Sequence, residues 1–300
     1  MYERPVKIRI GYPCINRSIG CTSNHTFRLA SYSETRMIET VSANLDCLAK
    51  ILKFNADKGI DFFRISSDLI PFASHEICGF DWRGHFVKEL SNIGRYIQKS
   101  GMRVSMHPDQ FVLINAEKED IVRRSVAELE YHAAVLDSMA LDRKAKIQIH
   151  VGGVYGDKGS AIKRFVERSL RLSPAVSRRL VIENDDRSYS VEDCVAISRE
   201  TGVPVLFDVF HHECLSGGLG VSAAFKKAAG TWKKKDGPFM IDYSEQDKGK
   251  REGAHAHSVN VRRFAKFMAM VRDAGIDSDI MMEIKDKEKS VLKVLKYISA

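Results

Sequence analysis

The chain has 300 residues, of which 44% are hydrophobic and 29% charged, and this ordinary globular composition allows a sizeable core. No apolar run approaches the roughly 20 residues that a membrane-spanning helix needs, and the first residues predict a polar lead-in to a strand, not a signal peptide. We therefore expect a cytoplasmic protein without a membrane partner. Lysine and arginine exceed aspartate and glutamate by 8 (47 against 39), which favours a polyanionic partner.

Strand and helix patterns alternate along the whole chain. Short β-branched runs are each followed by an amphipathic stretch of helical length, without a linker or low-complexity break. Glycines at 59, 101 and 202 predict helix ends, and Ser33 predicts a helix N-cap. The eight predicted strands are Lys7–Pro13, Asp61–Ile65, Arg103–His107, Lys146–His150, Leu180–Glu183, Pro204–Asp208, Phe239–Tyr243 and Asp279–Ile284.

Eight strand-helix repeats in one chain of this length predict an α/β fold, a TIM (β/α)8 barrel that forms a single domain over residues 1–300. A doubly wound open sheet would have fewer strands and a glycine-rich first turn. The sequence contains neither a GxGxxG nor a Walker A motif, so we expect no nucleotide cofactor.

Six cysteines are scattered through the chain without a CxxC pair. This spacing indicates neither a disulfide framework nor a zinc ribbon, and it predicts reduced thiols that mostly pack in the interior. The cysteines are Cys14, Cys21, Cys47, Cys78, Cys194 and Cys214.

Basic residues flank the seventh predicted strand. Lys233, Lys234 and Lys235 precede it, and Lys248 and Arg251 follow it. Such residues form either a solvated, mobile surface or a rim that binds phosphates, and charge alone does not separate the two.

Residues able to bind metal lie at or just after the ends of most predicted strands. Each one alone has a simpler explanation, such as a buried histidine or a carboxylate paired with arginine. The ends of barrel strands converge on one face, however, and a cation compensates several buried carboxylates at once, so the set as a whole predicts a metal site. The candidate ligands are His75, His107, His150, Glu183, Asp208, His211, Asp242, His255 and Glu283.

This set of histidine and carboxylate ligands, without thiolate, suits manganese, zinc or iron. More than four ligands imply two or three ions. A cluster of this kind can bridge a phosphate and make hydroxide from a bound water, which is the chemistry of phosphodiester hydrolysis.

From about Arg9 to Glu283 the sequence resembles the UV damage endonucleases. The segments that carry the resemblance are RIGYPCIN, RISSDLIPFASH, SMHPDQF, IHVGG, IENDD, FDVFHH, GAHAH and MMEIKDKE. The resemblance implies a barrel of the xylose-isomerase-like and apurinic-endonuclease-like superfamily. It also implies incision of damaged double-stranded DNA immediately 5′ to pyrimidine dimers and related lesions, which leaves a 3′-hydroxyl.

The same resemblance assigns roles to residues. The nine candidate ligands would hold two or three divalent ions, with manganese expected, and Glu183, His107 and His150 would be catalytic. Gln110 and Phe111 correspond to the pair that enters the duplex at the lesion, although Phe111 could also be an ordinary core residue. Tyr12 and Asn16 would contact the lesion or the cut phosphate, and a structural role is equally open.

The chain departs from the family pattern in the seventh strand. Some members carry a modified lysine there with a histidine two residues on, whereas this chain has Met240 and Asp242. Methionine cannot be carboxylated and is a poor ligand for a hard cation, so we expect that modification to be absent. The occupancy of a third metal position is open for the same reason.

Three other functions fit parts of the pattern. A sugar isomerase on the same barrel would use Glu183, Asp208, Asp242 and Glu283 for one or two ions, and fold alone does not exclude it. An apurinic-site endonuclease would share the chemistry but not the lesion pocket. A catalytically silent lesion-binding protein would bind DNA without cutting it. We expect a monomer in each case.

Overall fold

The structure is a computed structural model and describes residues 6–298, so most of the predicted polar lead-in, residues 1–5, lies outside the described residues. Its eight parallel strands form one closed barrel in chain order, with β1 paired to both β2 and β8. The barrel prediction is therefore confirmed. The strands are β1 Ile8–Pro13, β2 Phe62–Ile65, β3 Arg103–Met106, β4 Lys146–His150, β5 Leu180–Glu183, β6 Val205–Asp208, β7 Phe239–Tyr243 and β8 Ser278–Met282.

Helices connect and cover the strands. Ser33 caps α1 by accepting a hydrogen bond from the Arg36 amide, and Gly101 and Gly202 end α3 and α7 in the left-handed conformation, as the sequence predicts. No helix within residues 6–298 is long and apolar enough to span a membrane. The helices are α1 Glu34–Asp57, α2 Trp82–His85, α3 Val87–Ser100, α4 Glu119–Ser138, α5 Lys158–Ser169, α6 Pro174–Ser177, α7 Val191–Thr201, α8 Val209–Cys214, α9 Val221–Ala229, α10 Val261–Asp273 and α11 Glu288–Ile298.

The inside of the barrel is built in layers, because residues two apart in a strand share a face. The middle layer is an apolar cluster of fully buried residues: Phe62, Val181, Leu206, Met240 and Met281. Two positions further along the same strands, and along β4, lie the polar residues that face the site. This upper layer consists of Arg64, Gln148, Glu183, Asp208, Asp242 and Glu283.

Ion pairs close the other end of the barrel. Asp279 of β8 accepts hydrogen bonds from Arg9 of β1 and Arg103 of β3, and Lys146 of β4 donates to Asp236 at 2.8 Å. These groups are mostly buried, so their charges are paired inside the protein. The apolar middle layer therefore separates two polar layers of different kinds.

The prediction that all six cysteines are reduced is wrong for two of them. Cys21, in the long loop after β1, forms a disulfide with Cys47 on α1. The remaining four are free thiols. The two partners are 26 residues apart, and they meet only because the loop folds back over the first helix, which no local spacing shows.

His132 on α4 is fully buried, and its Nδ1 lies 2.7 Å from the Glu128 carbonyl oxygen. Burial, assisted by the nearby His107, lowers its pKa to about 4. The folded state therefore disfavours protonation of His132. The contribution of the neutral His132 to the free energy of unfolding is fully present above the unfolded pKa of about 6.5 and is lost as the pH drops towards 4. We expect His132→Gln to remove about 3 kcal/mol of this pH dependence, measured by urea unfolding at pH 7 and pH 4.

The matched control for that measurement is His85→Gln on α2, where the side chain is exposed. That variant should keep the pH dependence of the wild-type protein. A His132→Gln variant that loses as much stability as the wild type between pH 7 and pH 4 would contradict the assignment.

Candidate metal centre

Seven of the predicted ligands lie together at the C-terminal ends of the strands. Within residues 6–298 their ligand atoms form three groups, and the atoms of each group lie within 4.8 Å of one another. Glu183 belongs to two groups and Asp208 to two, so the three form one continuous cluster. The groups are His107, His150 and Glu183; Glu183, Asp208 and His211; and Asp208, Asp242 and Glu283.

Glu183 is the centre of the histidine side of this cluster, and its side chain is almost completely buried. Its Oε2 lies 3.5 Å from His107 Nε2 and 4.0 Å from His150 Nε2, while its Oε1 lies 3.2 Å from His211 Nδ1. Burial alone would raise the pKa of Glu183, but the three histidines outweigh it and hold the pKa well below its usual value. Its two oxygens thus face different histidines.

The acidic side of the cluster contains Asp208, Asp242 and Glu283. Burial raises the pKa of Asp208 to about 8 and that of Asp242 well above its usual value. Among the described residues, Asp208 Oδ2 and Asp242 Oδ1 are buried without a hydrogen-bond partner. Buried oxygens of this kind need a compensating group, and a divalent cation supplies one, so the residues present fit a metal centre.

His211 connects the two sides. Its Nδ1 lies 3.3 Å from Asp208 Oδ2 and 3.1 Å from the Asn184 carbonyl oxygen. Burial alone would lower the pKa of His211, but Asp208 and Glu183 raise it to about 11. In the metal-free protein this site therefore holds protons that a bound cation would displace.

Two functional residues were not predicted from the sequence, Arg64 of β2 and Gln148 of β4. The Arg64 guanidinium donates to Asp242 at 2.6 Å, to Gln148 at 2.7 Å and also to Glu283. The Gln148 amide in turn donates to Glu183 and Asp242, each at 2.7 Å. Burial alone would raise the pKa of Glu283, but Arg64 lowers it to about 2.

The two remaining predicted ligands lie outside the three groups. His255 is adjacent to them, because its Nδ1 is 2.9 Å from the Glu283 carbonyl oxygen and its ring centroid is 6.3 Å from that of His211. His75 is exposed, and its Nδ1 accepts a hydrogen bond from the Ile77 amide. Metal binding by these two histidines stays a prediction.

The turn after β3 exposes Gln110 and Phe111, here called the probe pair, to solvent. Phe111 is 73% exposed, so the alternative that it is a core residue is wrong. Gln110 is also exposed, and its backbone amide donates to Asp109 Oδ1 at 2.7 Å. The exposed Phe111 ring and the neighbouring Gln110 side chain lie in the same turn as His107. They are therefore placed to insert into a molecule bound at the cluster.

Tyr12 and Asn16 are both buried. The Tyr12 hydroxyl donates to Asn55 at 2.6 Å and accepts from the Asn16 amide at 2.8 Å, and its ring packs edge-on against Phe63. The structure thus gives both residues a role in fixing the first loop, and a contact with DNA stays a prediction.

The basic segments lie at opposite ends of the barrel. Lys233, Lys234 and Lys235 precede β7, so they lie at its N-terminal end, whereas the cluster lies at the C-terminal ends. Lys233 to Lys235 therefore do not border the cluster, because a residue before a strand lies at the opposite end from one after it, and DNA binding by these lysines stays a prediction. Lys248 and Arg251 follow β7 and are exposed on the side of the cluster.

Known proteins resemble this chain over almost all of its length. The sequence matches the family described as UV-endonuclease UvdE over residues 8–300. It is 38% identical to a UV DNA damage endonuclease of Clostridium perfringens over 290 residues, which cover 96% of this chain and 70% of that protein. It is 33% identical to a putative UV-damage endonuclease of Acanthamoeba polyphaga mimivirus, and this match covers 96% of this chain and 90% of that protein.

Solved structures agree on the fold. The crystal structure of SacUVDE superposes with a TM-score of 0.93 at 43% identity and covers 97% of this chain and 98% of that one. A D-psicose 3-epimerase from Clostridium cellulolyticum H10 superposes with a TM-score of 0.54 at 14% identity over 78% of each chain. The second likeness shows the barrel alone.

Proposed function

This chain belongs to the UV-endonuclease UvdE family, and we propose that it cuts damaged double-stranded DNA immediately 5′ to pyrimidine dimers and related lesions with the help of divalent metal ions. It is a hydrolase, a DNA repair endonuclease that acts on UV damage. We also propose a 3′-hydroxyl product, two or three ions per chain and manganese as the metal.

The observation that carries the metal proposal is the cluster around Glu183. One buried carboxylate faces three histidines, and next to it lie the buried carboxylates of Asp208 and Asp242, each with one oxygen that has no hydrogen-bond partner within residues 6–298. Bound ions of this kind polarise a phosphodiester, lower the pKa of a bound water and stabilise a leaving oxygen. The residues that would hold them are His107, His150, Glu183, Asp208, His211, Asp242 and Glu283, with His255 and His75 as further predicted ligands.

The chain's own side chains orient this centre. Gln148 holds one oxygen of Glu183 and one of Asp242, and Arg64 holds Asp242 and Glu283, so the carboxylates keep their relative positions before any ligand binds. His255 donates its Nδ1 hydrogen to the Glu283 carbonyl oxygen, which leaves Nε2 for a ligand.

The exposed residues around the cluster supply DNA contacts. Phe111 and Gln110 enter the duplex where a damaged pair of bases leaves the stack, because a distorted dimer costs less to unstack than intact DNA. Lys248 and Arg251, on the same end of the barrel, bind the phosphate backbone. A small neutral sugar requires none of these groups.

The test is nicking of an end-labelled duplex that carries one cyclobutane thymine dimer. We expect a cut immediately 5′ to the dimer with added manganese, no cut with EDTA and no cut in undamaged DNA. Binding without cutting in manganese would instead support a silent lesion-binding protein, and neither binding nor cutting would make sugar substrates the next candidates.

A further inference from the structure

Hydrogen bonds join the start of α11 and the turn before it to the loop that follows β1. The carboxylate of Glu288, which is fully buried, accepts hydrogen bonds from the Arg17 amide at 3.0 Å and the Ser18 hydroxyl at 2.7 Å. Arg17 Nε also donates to the Lys285 carbonyl oxygen at 2.9 Å. The backbone of this turn, which begins directly after the cluster residue Glu283, is therefore held in a fixed position.

Lys287 lies in this turn with a left-handed backbone, at a φ of 56°. Its amide donates to the Ile284 carbonyl oxygen at 3.0 Å, which fixes that conformation. Glycine adopts the left-handed region without strain, whereas a lysine there costs about 1 kcal/mol. A residue with a side chain at such a position is a reason to look for a function of the side chain.

The Lys287 ammonium lacks a hydrogen-bond or ion-pair partner among the described residues. Its side chain is half-buried, yet it makes no ion pair or hydrogen bond with any side chain in residues 6–298. Burial lowers its pKa, and the charged and thiol groups that influence it are Cys14, Glu283, Arg64 and Arg17. Glu283 raises the pKa of Lys287 but forms its own ion pair with Arg64, not with Lys287.

A half-buried, unpaired ammonium is costly unless an anion compensates it. Lys287 follows β8 at the C-terminal end of the barrel, the end that carries the cluster, and it is close enough to Cys14 after β1 and Glu283 after β8 for both to influence its charge. Lysine is a compact point charge that binds single phosphate oxygens well. Both facts indicate a phosphate oxygen as the missing partner.

We propose that Lys287 binds a non-bridging oxygen of the phosphodiester that is cut, from the β8 side of the metal centre. This inference rests on the proposed function and adds to it a binding residue that neither the ligand set nor the probe pair contains. Lys287 would hold the phosphate in place while the residues of the cluster act on it.

The first experiment measures binding of the thymine-dimer duplex to Lys287→Met in EDTA, so that metal does not contribute. We expect the affinity to fall about 10- to 100-fold, and the slope of log affinity against log salt to become shallower by about 0.9. The matched control is Lys289→Met, which removes the same charge from an exposed position two residues on and should change neither quantity measurably.

A second duplex separates the cut phosphate from its neighbours. It carries an uncharged methylphosphonate at the linkage 5′ to the dimer. The wild-type protein should bind this duplex more weakly than the unmodified duplex, by about the factor that Lys287→Met loses on the unmodified duplex. Lys287→Met should bind the two duplexes with about equal affinity. A full further loss in Lys287→Met would show that Lys287 binds elsewhere, which would overturn the proposal.

Two further variants separate binding from folding. Lys287→Gly relieves the left-handed backbone, so it should unfold at a higher urea concentration and still lose affinity as Lys287→Met does. Lys287→Arg should recover part of the affinity. If Lys287→Met behaves like Lys289→Met while the wild-type protein nicks the dimer, this inference fails and the proposed function stands; if the wild-type protein does not nick, the proposed function itself fails.

Discussion

Glu183→Gln should lower the rate of nicking beside a thymine dimer by about 10³-fold or more, because it removes the charge from a principal electrostatic group of the centre. The amide has the same shape as the carboxylate, and its oxygen can still accept from Gln148. What it lacks is the negative charge that faces His107, His150 and His211. The measurement is nicking in manganese, together with the metal content of the purified protein.

DNA binding should change by less than roughly twofold in this variant, because Glu183 is only 1% exposed and lies beneath the exposed residues that we propose as DNA contacts. The matched control is Glu192→Gln on α7, where the exposed carboxylate pairs with Lys227. It should nick at the wild-type rate. Wild-type nicking by Glu183→Gln would remove the basis for the metal centre.

Arg64→Met should destabilise the metal-free protein by about 3–5 kcal/mol, because it leaves the buried Asp242 and the half-buried Glu283 without their shared cation. Arg64 is 3% exposed and bonds to Asp242 and Glu283. Manganese should then restore more stability to this variant than it adds to the wild type, since bound ions replace the missing positive charge. Urea unfolding in EDTA and in manganese measures both effects.

The control for the loss of an arginine is Arg263→Met, which removes an exposed pair with Glu213. That change should cost no more than about 1 kcal/mol, with or without metal. An Arg64→Met protein that is as stable as the wild type in EDTA would mean that the two carboxylates are protonated or hydrated in the folded state, and that Arg64 does not compensate them.

The strands and the positions of most ligands were predictable because barrel strands obey a simple local rule. An apolar run that ends in a histidine or an acid carries both signals in neighbouring residues, as in IQIH before Val151 and LVIE before Asn184. The ends of parallel strands then converge whatever the sequence between them. The prediction therefore needed no knowledge of long-range contacts.

Arg64 was missed although the same rule applies to it. It is the single charged residue of FFRI, two positions after Phe62, and this places it in the upper layer as surely as Glu183. It was not selected because arginine is not a metal ligand, and only histidines and acidic residues at strand ends were considered. The position of Lys233 to Lys235 was also predictable, since residues that precede a strand lie at the opposite end of the barrel from those that follow it.

The Cys21–Cys47 disulfide and the Gln148 network were not predictable in this way. Each depends on how a long loop or a neutral side chain meets groups from distant parts of the chain. Composition and periodicity contain no information on such contacts, whose formation depends on the complete tertiary structure.

The closure of the barrel by β1 and β8 has a consequence for when the enzyme becomes active during its synthesis. Domains are made from the N-terminal end, and β8 is the last strand of the barrel. Glu283 follows that strand, and Glu288, which clamps the first loop, comes five residues later. We therefore expect the nascent chain to gain a complete centre, and with it the ability to cut DNA, only after translation has passed β8.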